Sequence, residues 1–249
     1  MFKSVYFAIW LGLVSVTLTI SNSAFSDPFD WNVFDQALQK HVKPEEVDGI
    51  PANLVDYQAL KASGVIESIA KQLDSYAPDF ENHNEALSFY INAYNFFAIK
   101  MVTDHYPVDS IKDIGNFIFP VWKKTVGKIN GKNTSLDHIE HEVLRPMGEP
   151  RIHFAIVCAS LSCPDLRPSV YTSKDLDQQL NEQATRFFAQ SKGLQVNQNK
   201  ITVSKIFDWF EVDFKETGGV SAYIERYRPG LPSTEVSGYL SYDWRLNDQ

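Results

Sequence analysis

Hydrophobic positions recur at helical spacing through the first half of the chain. Trp31 to Gln39 and Tyr57 to Tyr76 are amphipathic; the second puts Val65, Ile66, Ile69 and Leu73 on one face, while Gly64 weakens its first turns. Glu85 to His105 differs, because Phe89, Tyr90, Ile91, Ala93, Tyr94, Phe96, Phe97, Ala98 and Ile99 leave it apolar on every side. That pattern predicts a helix buried at the centre of a domain. Asn92 and Asn95 interrupt the run on one face, so both must find partners inside. They either bond neighbouring backbone or line a site and orient a catalytic group.

Further along, the period shortens. Val121 to Val126 and Lys128 to Lys132 predict a hairpin turning near Gly127, or a longer one turning at Asn130 and Gly131. A short helix capped by Ser135 follows, then a strand over Arg151 to Val157, rich in β-branched and aromatic residues. Thr172 or Ser173 caps a helix with Leu176, Leu180, Ala184, Phe187 and Phe188 on one stripe, ended by Gly193. A hairpin over Leu194 to Ser204 and helices near Phe207 to Phe214 and Val220 to Tyr227 complete the pattern. Lys43 to Asn53, Asp104 to Pro120 and Pro229 to Ser237 read as turn-rich connectors. Helices and hairpins in blocks give an α+β class: a single domain with a buried central helix packed on a small, mainly antiparallel sheet.

Composition narrows the setting. Met1 to Ser26 holds one early lysine, an apolar stretch from Val5 to Ile20 and small residues before Asp27, which reads as a cleaved signal peptide followed by one globular domain over 27–249. The protein is therefore expected to be exported, periplasmic or secreted, with no membrane insertion after cleavage. A net charge of -8 disfavours nucleic acid. The partner expected is a small-molecule or peptide substrate, and no motif implies a cofactor: phosphate-cradling glycine loop, GxSxG elbow and CxxC pair are all absent.

The chemistry concentrates in RIHFAIVCASLSCP, Arg151 to Pro164, which carries His153 and both cysteines of the chain, Cys158 and Cys163. A thiol needs a base, a cation or a helix N-terminus to become a useful thiolate. Side chains five apart on a regular strand face opposite ways, so His153 reaches Cys158 only if Cys158 lies past the strand's end or a bulge intervenes. His141, on the preceding short helix, is the substitute base. Glu140 beside it either orients a histidine or pairs with Arg145 or Arg151. In an exported protein a Cys158 to Cys163 disulfide is the competing state. His138 and His141 form too sparse a set for zinc, so no metal site is expected.

SFYINAYNFFAIKMV at Ser88, SLDHIEHEVLRP at Ser135, RIHFAIVCASLSCP at Arg151 and YDWRLN at Tyr242 together resemble the family called domain of unknown function 547, from about Leu87 to the C-terminus. The resemblance marks Asn92, Asn95, Glu140 and Cys158 as recurring positions and Cys163 as a less regular one. Two functions remain open. In one, Cys158 is the nucleophile of a thiol-dependent hydrolase or acyl transferase acting on amide or thioester bonds, with His153 or His141 as base, Glu140 as orienter, and Asn92 and Asn95 in the binding site. In the other, the chain is a non-enzymatic module for peptide or cell-envelope ligands with a structural disulfide.

Overall fold

The computed structural model describes Met1 and residues 28–249 apart from positions 117, 199 and 232. The signal-peptide expectation over 1–26 thus lies, Met1 aside, outside the described residues. The class is α+β. Helix α1 (Asn32–His41) leads into an antiparallel hairpin, β1 (Val42–Val47) with β2 (Ile50–Val55). The long amphipathic stretch is two helices, α2 (Tyr57–Ser63) and α3 (Val65–Ser75), divided where Gly64 adopts φ +69°. Asp56 caps α2 by accepting from the Ala59 amide.

The central helix is α4 (His83–His105), capped by the Asn82 side chain on the Glu85 amide. It packs chiefly on α2, on a 3₁₀ turn at Ile111–Ile114 and on a π-helical turn at His138–Leu144. Hairpin β3 (Gly127–Ile129) and β4 (Lys132–Thr134) turns at Asn130 and Gly131, the longer of the two expected hairpins. It meets α4 at Gly127, where any Cβ would collide with the Phe97 ring.

The remaining elements are α5 (Leu176–Ala189), β5 (Leu194–Asn197), β6 (Lys200–Val203), α6 (Ile206–Trp209), α7 (Glu211–Lys215), α8 (Gly219–Tyr227) and β7 (Val236–Tyr239). β5 pairs antiparallel with β6, and β7 joins β6 in parallel. The sheet is thus three small pieces. Two large apolar cores result among the described residues, with a small satellite of Ala52, Leu54 and Leu161. One surrounds α4, and the other gathers Phe154, Phe187, Phe188, Phe207, Phe214 and Ile224 from the C-terminal elements. No helix among the described residues is long and apolar enough to cross a membrane.

Two expectations change. Lys43 to Asn53 is the β1 and β2 hairpin, not a connector, since Pro44 and Pro51 sit in a two-stranded ribbon whose outer edges need no amide. Arg151 to Val157 is not a strand. Pro150 opens a 3₁₀ turn, Pro150–Phe154, and the chain then runs irregularly to Cys158. Its bulky residues are buried on all sides, which satisfies their packing preference without a ladder.

Asn92 and Asn95 take the first of the two roles open to them. Neither lines the cleft described below; each clamps backbone. Asn92 donates to the Tyr171 carbonyl (2.8 Å) and accepts from its amide (2.8 Å). Asn95 donates to the Ala155 carbonyl (2.9 Å) and accepts from the Val157 amide (2.9 Å). Irregular backbone beside an apolar helix has no ladder partner, so these amides stand in for one, as Gln179 and Gln183 of α5 do at Val170, Thr172 and Phe154. Asn95→Ala leaves a buried carbonyl and a buried amide unpaired and should cost about 2–4 kcal/mol, read as a lower urea midpoint.

Candidate functional site

A cleft of about 310 Å³ opens at the seam between the two cores. Its lining includes Glu140, His141, His153, Cys158 and Cys163, so the four predicted catalytic residues share one cavity. The aromatic side chains of Trp122, Trp209, Phe210, Tyr242 and Trp244 form much of the wall. Trp209 stacks on Trp244 with centroids 5.7 Å apart and is 45% exposed, so it offers a ring face to whatever enters.

The two sulfurs are joined as a disulfide, and no free cysteine exists. Of the two states the sequence left open, this is the disulfide. Cys158 is half-buried and Cys163 is 2% exposed. Between them Ala159 sits at φ +58°, a left-handed conformation that a residue with a Cβ adopts only under constraint. The constraint is the C-terminal tail. Leu161 N–H bonds the Arg245 carbonyl (3.0 Å), Ser162 N–H the Asp243 carbonyl (3.2 Å), and Ser160 bridges Leu246. Beyond Cys163, Asp165 accepts from Lys192 (2.6 Å), Arg186 (2.6 Å) and Gln190 (2.7 Å). Burial alone would raise the Asp165 pKa, but these partners, Lys192 foremost, hold it low.

The same tail delivers Tyr242, whose hydroxyl lies 3.2 Å from Cys163 Sγ and 3.4 Å from Cys158 Sγ. Asp243, next to it, pairs with Arg245 and does not reach Asn92 or Asn95.

His153 is buried and stacks on Phe210 at 4.0 Å between centroids. Its Nε2 bonds Asp213 Oδ2 at 2.7 Å, and Nδ1 makes no hydrogen bond among the described residues. Asp213 in turn receives two bonds from Arg145, each 2.7 Å. Burial pushes Asp213 up, but His153 and Arg145 outweigh it and hold the carboxyl well below its usual range. Burial lowers the His153 pKa, with Asp213 opposing, so near pH 7 the imidazole is neutral. Arg145 also donates to His141 Nδ1 at 2.9 Å, which commits that nitrogen as an acceptor. No hydrogen bond joins either imidazole to a sulfur among the described residues.

Glu140 neither orients a histidine nor pairs with Arg145 or Arg151; Arg151 is engaged by Glu149 and Asp177. It accepts instead from the Tyr94 hydroxyl of α4 at 3.1 Å. The π-helical turn His138–Leu144 presents it to the cleft, a widened geometry common at functional sites. Burial raises its pKa to about 7, Tyr94 and Arg145 opposing. Asp213 was missed in the sequence because nothing local marks it, and Tyr94 because it lies inside an apolar run. Among the described residues no group of three or more metal-ligating side chains is placed to hold an ion.

Fold and site together define an α+β protein with an aromatic cleft floored by a disulfide. The family described as "Protein of unknown function, DUF547" matches residues 78–188, as the resemblance led one to expect, though the match starts earlier than Leu87 and ends before YDWRLN. Comparison with curated proteins and with solved structures gave no match.

The raised Glu140 pKa makes stability depend on pH. The folded protein holds a proton that the unfolded chain releases near pH 4.5, so this contribution is complete below pH 4.5 and lost as pH rises toward about 7. Glu140→Gln keeps the Tyr94 partner without the charge. It should match the parent at pH 4 and exceed it at pH 8 by about 1–3 kcal/mol, measured by urea unfolding at both pH values.

Proposed function

We propose that the cleft is a thiol-dependent acyl-transfer site, hydrolase or acyl transferase, acting on amide or thioester bonds once the disulfide is reduced. One observation carries this reading: a histidine oriented by a carboxylate, His153 with Asp213, lines the same cavity as the outer sulfur, Cys158. Asp213 occupies Nε2 and so leaves Nδ1 as the nitrogen able to take a thiol proton. The Cys158 thiolate attacks the carbonyl carbon, and the leaving amine or thiol departs with the proton held by His153. Water or a second nucleophile then releases the acyl group. Asp213 takes the orienting role first assigned to Glu140. Glu140, able to exchange a proton near pH 7, is a second acid or base in the same cavity. The aromatic wall suits an apolar or planar group next to the scissile bond. Export belongs to the proposal, since residues 1–26 read as a signal peptide and an oxidising compartment preserves disulfides.

A second reading, the non-enzymatic module for peptide or cell-envelope ligands, draws on the disulfide itself and on the exposed face of Trp209.

Alkylation of Cys158 across pH, after reduction, separates the two. Acyl transfer requires the thiol to react with an apparent pKa below the ordinary value of about 8.5. His153→Ala and Asp213→Asn should move that pKa back up, and His153→Ala should slow turnover of a thioester about a hundredfold or more. An unperturbed titration in the parent protein would remove the enzyme reading.

A further inference from the structure

We propose that the Cys158 to Cys163 bond is an exchange site for a low-molecular-weight thiol, with Cys158 the sulfur attacked and Cys163 the sulfur that leaves. This activity does not rest on acyl transfer. Access is the first argument: Cys158 is half-buried on the cleft wall, whereas Cys163 is 2% exposed, so an incoming thiol meets Cys158. Charge stabilisation is the second. Three donors converge on Cys163 Sγ: the Cys158 amide at 3.0 Å, the Tyr242 hydroxyl at 3.2 Å and the Ser160 hydroxyl at 3.4 Å. Cys158 Sγ has only the two hydroxyls, both farther away, at 3.4 and 3.5 Å, and no backbone donor. A sulfur that leaves as a thiolate leaves faster when hydrogen bonds favour its charge.

The step balances. An external thiolate forms a bond to Cys158 Sγ, the protein disulfide breaks, and its electron pair departs on Cys163 as the thiolate. A second external thiolate attacks the external sulfur of the mixed disulfide on Cys158 and releases the Cys158 thiolate. Two external thiols are thereby oxidised to one disulfide while the protein gains two electrons. Tyr242 and Ser160 are positioning residues here, holding the negative charge on Cys163 as it forms.

The test uses 2-mercaptoethanol, a small thiol whose only charge is that of the attacking thiolate itself. Brief exposure of the folded protein is quenched with N-ethylmaleimide, and peptide masses are mapped. The expected product carries mercaptoethanol on Cys158 and maleimide on Cys163. Tyr242→Phe preserves the ring packed on Trp209 and Trp244 and removes only the donor. It should slow adduct formation about threefold for each unit by which the Cys163 pKa rises, and Ser160→Ala should act in the same direction. Mercaptoethanol on Cys163, or exchange as fast in Tyr242→Phe as in the parent, overturns the proposal. So does a bond that exchanges only under conditions that unfold the chain. The mass map reads the sulfurs alone, so absence of acyl transfer leaves this result unaffected.

Discussion

Helix α4 has no side that faces water, and this constraint reaches the cleft. A helix so enclosed cannot leave a side-chain amide unpaired, because each buried polar group without a partner costs about 1–3 kcal/mol. Asn92 and Asn95 meet that demand by bonding both polar groups of the backbone they face, at Tyr171 and across Ala155 to Val157. Tyr94, within the same helical turn, reaches Glu140. One turn of α4 therefore fixes the chain entering Cys158 and holds the acid across the cleft. The side chains expected to touch a substrate set the positions of those that line the cleft.

The cleft exists because two cores meet without merging. Glu140 and the cysteine loop belong to the core around α4, whereas His153, Phe210 and Asp213 stand on the C-terminal core. Tyr242 packs against both. Such a seam is dry enough to shift pKa values and open enough to admit a ligand. Its electrostatics follow. Burial keeps His153 neutral near pH 7 although Asp213 pulls toward the protonated form, and Arg145, bonded to Asp213 from the far side, opposes that pull. Glu140 has no such paired cation and retains its proton to about pH 7.

Legibility in the sequence tracked how local each signal was. The all-round apolar run over α4 admits no other reading, and a hairpin between Leu194 and Ser204 announces itself by alternation and a polar turn. Arg151 to Val157 misled because β-branched and aromatic residues report burial as much as strand, and here burial comes from two cores at once. The β1 and β2 ribbon hid behind Pro44, Gly49 and Pro51, which a two-stranded hairpin accommodates at its edges and its turn. Cys158, His153, His141 and Glu140 were found because their reactive side chains cluster in two neighbouring motifs. Asp213 was not, since an acid on a surface helix looks like any solvated charge until the fold brings it to His153. Tyr242 entered only as the first residue of the YDWRLN motif; its place beside the sulfurs depends on the tail pairing with residues 160–162.

That tail bears on what the disulfide is for. Closing the loop from Cys158 to Cys163 contributes about 2 kcal/mol of chain entropy, the low end of what such bonds provide. The loop is already held without it. The segment before Cys158 is clamped by Asn95, the residues between the sulfurs bond the tail, and Asp165 anchors the exit through Lys192, Arg186 and Gln190. A covalent staple is nearly redundant where so many partners fix both ends. Its position is not redundant, because the outer sulfur faces the cleft and the inner one is ringed by donors.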